Sequence, residues 1–152
     1  MLRVYKSDEN FEIRQHFRSD WGELLVNESE PYRESPRFVT DEQHCAVISK
    51  ISEQLSSKFG QYLAGDRLRF GTSQKAFNLY LKYLWAMDEI AMPPHCPVDS
   101  VVLARIGIFD SWTQCDSCEQ YMGWINAIRK RLSLAEWENE AWLRWRIENS
   151  AR

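Results

Sequence analysis

Apolar residues recur every three or four positions along most of the chain, and stretches that alternate residue by residue are scarce. That period marks helices turning one face to a core. Ile13, Phe17 and Trp21 stand at i, i+4 and i+8 and predict an amphipathic helix within 7–25, with a break near Asp20 left open. Residues 26–38, holding Pro31 and Pro36, read as an extended connector. Thr40 and Gln43 then form a capping-box pattern opening a helix. Its stripe is Ile48, Ile51, Leu55, Phe59 and Tyr62, and Gly65 is the expected stop.

The next helix, expected over 73–88, differs from its neighbours. Ala76, Phe77, Leu79, Tyr80, Leu81, Tyr83, Leu84, Trp85 and Met87 cover nearly its whole circumference, which predicts a buried central helix. Its polar interruptions, Lys75, Asn78 and Lys82, fall at i, i+3 and i+7 and so share one narrow face. A connector over 89–98 carries Pro93, Pro94 and Pro97. Asp99 is placed to cap a short apolar helix over 100–106, stopped by Gly107. A further helix from about Asp116 carries Tyr121, Trp124, Ile125, Ile128 and Leu132. Ser133 and Glu136 make a second capping box before a last helix presenting Leu134, Trp137, Ala141 and Trp145. The expectation is an all-α fold of about five to seven helices in a single compact domain over 1–152. An N-terminal helix and connector (1–39) precede a helical core (40–152).

Composition narrows the function classes. A chain of 152 residues suits one core, and seven Trp, six Tyr and seven Phe supply the bulk to fill it. The net charge of −3 means that any hold on a polyanion must come from a local basic patch. Arg67 and Arg69, in the short connector before the central helix, offer one. The N-terminal residues lack the apolar run of a secretory signal and no stretch reaches transmembrane length, so a cytoplasmic protein with no membrane partner and reduced cysteines is expected. Phosphate-loop, dinucleotide-binding, serine-elbow and zinc-protease motifs are missing, and no cofactor is expected.

Lys75 and Asp99 are the sharpest candidates for chemistry. A lysine partly drawn out of water at the start of an apolar helix gives up its proton more readily and can act as an amine nucleophile. A carboxylate at the next helix start could orient that amine or support positive charge on a substrate. The chain allows the pairing. From Lys75 to Asp88 a helix advances about 20 Å, and a ten-residue connector can reach back at most about 33 Å. The plain alternative is a solvated first-turn lysine and an ordinary N-cap aspartate.

The segments Gly71-Thr72-Ser73-Gln74-Lys75-Ala76 and Pro97-Val98-Asp99, followed by the apolar stretch to Ile106, resemble the helix-hairpin-helix DNA glycosylases. The resemblance spans 71–106. It aligns Lys75 with that family's nucleophilic lysine, Asp99 with its aspartate and Gly71 with the first glycine of its hairpin. It implies a glycosylase-like helical arrangement and a DNA partner, with excision of a damaged, oxidised base through a lysine Schiff base and lyase chemistry. It further implies that the target nucleotide is flipped into a pocket near Asn78 and Lys82. Phosphate would then be held by Arg67, Arg69, Gln74 and the backbone amides from Gly71 to Ser73.

Two other groupings remain. Cys115 and Cys118 form a C-x-x-C, and with one residue each from His44-Cys45 and His95-Cys96 they would complete a four-ligand zinc site. Trp124, Trp137 and Trp145 keep the helical spacing of core residues, whereas Trp142 falls off the stripe and, with Arg144 and Arg146 close by, suggests a C-terminal surface for a protein partner. Two readings therefore stand: a small glycosylase/AP lyase-like enzyme, and a non-catalytic helical interaction or regulatory protein. The position of the Lys75 amine relative to Asp99 separates them, since reacting groups need contact geometry.

Overall fold

The computed structural model describes residues 4–6, 11–34 and 39–131. Over these the protein is all-α, with five α-helices: α1 (Phe11–Glu34), α2 (Asp41–Phe59), α3 (Phe70–Ala86), α4 (Ser100–Arg105) and α5 (Cys118–Arg131). Single 3-10 turns occupy Gly60–Tyr62, Ala64–Asp66 and Trp112–Gln114. The described residues form no strand, only an isolated antiparallel bridge between Tyr5 and Leu63. None of the described helices is long and apolar enough to cross a membrane.

The core follows the predicted stripes. Ile48, Ile51, Leu55 and Phe59 of α2 pack with Phe77, Leu81 and Leu84 of α3, and with Tyr121, Trp124, Ile125 and Ile128 of α5. The capping box of α2 is complete: Gln43 N–H donates to Thr40 Oγ1 at 3.2 Å, and Thr40 N–H donates to Gln43 Oε1 at 2.9 Å. The α-helix ends at Phe59, earlier than Gly65 suggested. Gly65 instead takes a left-handed conformation (φ 70°) inside the following turn, and Tyr62 lies beyond the helix. Gly107, also left-handed (φ 74°), follows α4 as expected.

Two boundaries differ from the sequence expectation. Residues 26–34 are the last turns of α1, not an extended connector, and the helix runs unbroken past Asp20. Pro31 removes one backbone donor, yet tertiary contacts keep the helix going. Tyr32 is fully buried, and its ring meets Phe77 edge-on with centroids 5.6 Å apart. Glu28 pairs with Lys50, and Arg33 with Glu89.

Helix α3 begins at Phe70, three residues before Ser73. Its cap comes from far along the chain. Phe70 N–H donates to Asp116 Oδ1 at 3.2 Å, and Gly71 N–H donates to Cys115 O at 2.8 Å. A Cβ at position 71 would stand 1.9 Å from Trp112 O, so only glycine lets the 112–115 turn lie this close. The helix is less enclosed than its composition suggests: Tyr83 is exposed, as is Met87 just past its end. The second capping box at Ser133 and Glu136, residues Leu132 and Leu134, and the C-terminal Trp137, Trp142, Trp145, Arg144 and Arg146 lie outside the described residues.

Candidate active site

Lys75 lies in the second turn of α3 and Asp99 is the N-cap of α4. The proline-bearing connector returns the chain so that Lys75 Nζ donates to Asp99 Oδ2. The two side chains are 28% and 25% exposed, so the pair is within reach of solvent but largely covered. The carboxylate is divided between two jobs. Its other oxygen, Oδ1, accepts from Val102 N–H at 3.0 Å and caps α4. Burial pushes the Asp99 carboxyl up, but the Lys75 ammonium and the Val102 amide outweigh it and hold the group below its ordinary value.

The remaining expected contacts of this region fare differently. Arg67 and Arg69 line a cavity of about 660 Å³ at the start of α3, together with Thr72, Trp112 and Gln114. Arg67 Nε lies 2.9 Å from Asp116 Oδ2, which spends part of its charge, and Arg69 Nη1 donates to Gln114 O at 3.5 Å. Gly71, Ser73 and Gln74 are buried and cannot meet DNA. Of the backbone amides expected to cradle phosphate, Gly71 N–H is spent on Cys115 O and Ser73 N–H on Arg69 O, and the preceding Phe70 N–H goes to Asp116. Ser73 Oγ donates to Ile48 O at 3.1 Å and ties α3 to α2. Asn78 is fully buried, and Lys82, one turn on, is half-buried.

Asn78 belongs instead to a buried polar network that joins α1, α2, α3, α5 and the connector before α4. Arg129 grips Asp41 with two bonds, Nη1 to Oδ2 at 2.7 Å and Nη2 to Oδ1 at 2.9 Å. An ionised carboxylate only accepts, so His95 Nε2 donates to Asp41 Oδ1 at 2.8 Å and its Nδ1 accepts from the Tyr121 hydroxyl at 2.8 Å. The Tyr121 oxygen accepts from Asn78 Nδ2, also at 2.8 Å. Asn78 Oδ1 therefore faces a donor, His44 Nε2, at 2.7 Å, and His44 Nδ1 accepts from Tyr32 Oη at 2.6 Å. Every donor points the same way, from Tyr32 toward Asp41. Burial lowers His44 to about 3 and His95 to about 4, and the ring centroids lie only 4.4 Å apart, so both imidazoles are neutral. The Arg129 guanidinium holds the Asp41 carboxyl well below the usual carboxylate range.

The same network occupies the residues that could have offered zinc ligands. His44 and His95 spend both ring nitrogens on it, and Cys96 lies beside it with its carbonyl oxygen 3.3 Å from Asn78 Nδ2. Cys115 is buried with its thiol on Ser117 O, while Cys118 meets Cys45 on α2. Among the described residues no group of three or more His, Cys, Asp or Glu side chains is placed to hold a metal. Trp124 is a core residue, its indole N–H donating to Asp110 at 2.9 Å.

No protein-family model, no curated protein and no solved structure matches the chain.

Asp41, Arg129, Tyr32 and Tyr121 escaped sequence reasoning. Only the polar positions inside apolar stripes, His44 and Asn78 above all, signalled that the core had to satisfy hydrogen bonds.

Proposed function

We propose that the protein is a small DNA base-excision glycosylase/AP lyase-like enzyme acting on a damaged, oxidised base, with Lys75 as nucleophile and Asp99 as its acid–base partner. In this reading α3 and α4 stand as the two helices of a glycosylase-like arrangement. The observation that carries it is the contact between Lys75 Nζ and Asp99 Oδ2, side chains 24 positions apart brought together at a partly open site.

In the reaction, the bond from the sugar carbon to the base nitrogen breaks with its electron pair leaving on the base. The Lys75 ammonium gives one proton to the Asp99 carboxylate, which passes it to the departing base, and the lone pair so freed forms the new bond to that carbon. While the sugar carries positive charge, the carboxylate supports it. The carbon–oxygen bond of the sugar ring then breaks, its electron pair and a further proton from the nitrogen going to the ring oxygen, and the open sugar is held as the Schiff base. Thr72, one turn before Lys75, and Arg69 line the cavity beside α3 and would meet a backbone phosphate in this reading.

Borohydride reduction tests this directly. Duplexes carrying an oxidised purine, an oxidised pyrimidine or an abasic site should each be offered to the protein. A covalent adduct with at least one of them is expected, absent for Lys75→Ala although that variant melts within a few degrees of wild type. No adduct with any duplex would remove the enzyme reading.

A further inference from the structure

We infer that Gln74 is the positioning residue of the Lys75–Asp99 pair, acting through a two-point amide clamp on the backbone of Val98; this rests on the enzyme reading above. Gln74 precedes Lys75, and Val98 precedes Asp99. Gln74 Nε2 donates to Val98 O at 2.6 Å, and Val98 N–H donates back to Gln74 Oε1 at 3.2 Å. The side chain thus takes the place of a neighbouring strand for a connector residue outside any helix. Both partners are completely buried, so the amide has no water to turn to.

The clamp has one orientation. Asn78 Nδ2 donates to the same Gln74 Oε1 at 3.1 Å, and Asn78 is itself oriented by His44 and Tyr121. A turned amide would set its nitrogen against Asn78 Nδ2 and Val98 N–H, and its oxygen against Val98 O. With the backbone of 98 held to the side chain of 74, the side chains of 75 and 99 must emerge next to each other. An interior glutamine is costly unless it is fully bonded, and these three bonds satisfy its oxygen and one of its two amide hydrogens. A Lys75 and Asp99 left to find each other on flexible chain would lack this fixed register.

The test compares Gln74→Met and Gln74→Glu with wild type. Single-turnover trapping at saturating DNA should be about a hundredfold slower in Q74M, the scale expected for an ångström of misplacement. DNA affinity should stay within about twofold. A trapping rate within about threefold of wild type in folded Q74M overturns the inference and leaves the enzyme reading intact. Should Q74M fail to fold, Q74E decides. The carboxyl introduced by Q74E restores the donor to Val98 O when protonated and opposes that oxygen when ionised. The Q74E to wild-type rate ratio should therefore rise at least about tenfold as pH is lowered from about 8 to about 5.5. A flat ratio overturns the clamp.

If wild type traps nothing, the enzyme reading falls, and the Asp99 carboxyl followed by carbon NMR still reads the geometry. Q74M should move its titration midpoint upward by at least half of the displacement seen in Lys75→Met. An unmoved midpoint would show that Gln74 does not set the pair.

Discussion

Asp99 carries two interactions on two oxygens, and conservative substitutions can part them. Asparagine caps helices about as well as aspartate, so Asp99→Asn should keep the bond to Val102 N–H and lose only the charge pairing with Lys75. A partly exposed pair of this kind contributes up to about 1 kcal/mol. Asp99→Ala should cost about 1 kcal/mol more, through the lost cap. Urea unfolding of the two variants measures that difference. Equal stabilities would mean that the cap contributes nothing. In the trapping assay both substitutions should abolish the adduct, because asparagine cannot take the proton. The pair itself was legible in the sequence, since an N-cap aspartate and a first-turn lysine flank a connector of suitable reach. The roles of Gly71, Ser73 and Gln74 were not. Each looked like a surface residue because its partners, Trp112 and Cys115, Ile48, and Val98, lie 24 or more positions away or face it from another helix.

Helix limits were legible where the signal was local and illegible where it was tertiary. Thr40 with Gln43, Asp99 and Gly107 announced their boundaries within four residues of them. The start of α3 depends on Asp116, 46 positions on, which no window around Phe70 reveals. The end of α1 reverses the local rule. Pro31 argued for a connector, but Tyr32 buried against Phe77 and bonded to His44 outweighs the missing donor. Pro31 is exposed and three residues from the end of the helix, so its side chain contributes little packing. Pro31→Ala restores the donor and should stabilise the protein by about 1 to 3 kcal/mol. A thermal melt checks this, with a rise of several degrees expected. A fall in Tm would mean that the proline sets the path of the chain toward α2.

For the molecule as a whole, the consequential feature is that two neutral histidines lie in its interior, one of them bonded to the half-buried pair of Asp41 and Arg129. His44 and His95 have folded values below the unfolded 6.5. Depressed groups support the fold above the unfolded value, and that support drains away as pH falls toward the folded values of about 3 and 4. Each histidine costs up to about 1.4 kcal/mol per pH unit in this window. Together they remove about 3 kcal/mol between pH 6.5 and about 5, a large part of the 5 to 15 kcal/mol usual for a domain of about this size. Asp41, also depressed, adds its loss below the ordinary carboxylate value. Cooperative unfolding at about pH 4 to 5 is expected, followed by tryptophan fluorescence, with stability nearly level above about pH 7. A native spectrum and unchanged Tm at about pH 4 would show that the imidazoles do not lose their neutral form on acidification.

The single direction of the chain of donors from Tyr32 to Asp41 also bears on how the protein can change over time. A greasy interior forgives small slips, because one methyl replaces another with little regard to angle. Here five separate segments of polypeptide read the same message in sequence, and altering one word leaves those on either side without meaning. Replacement of a single member therefore strands its neighbours on other helices, and drift through this part of the interior has to proceed by paired exchanges or not at all.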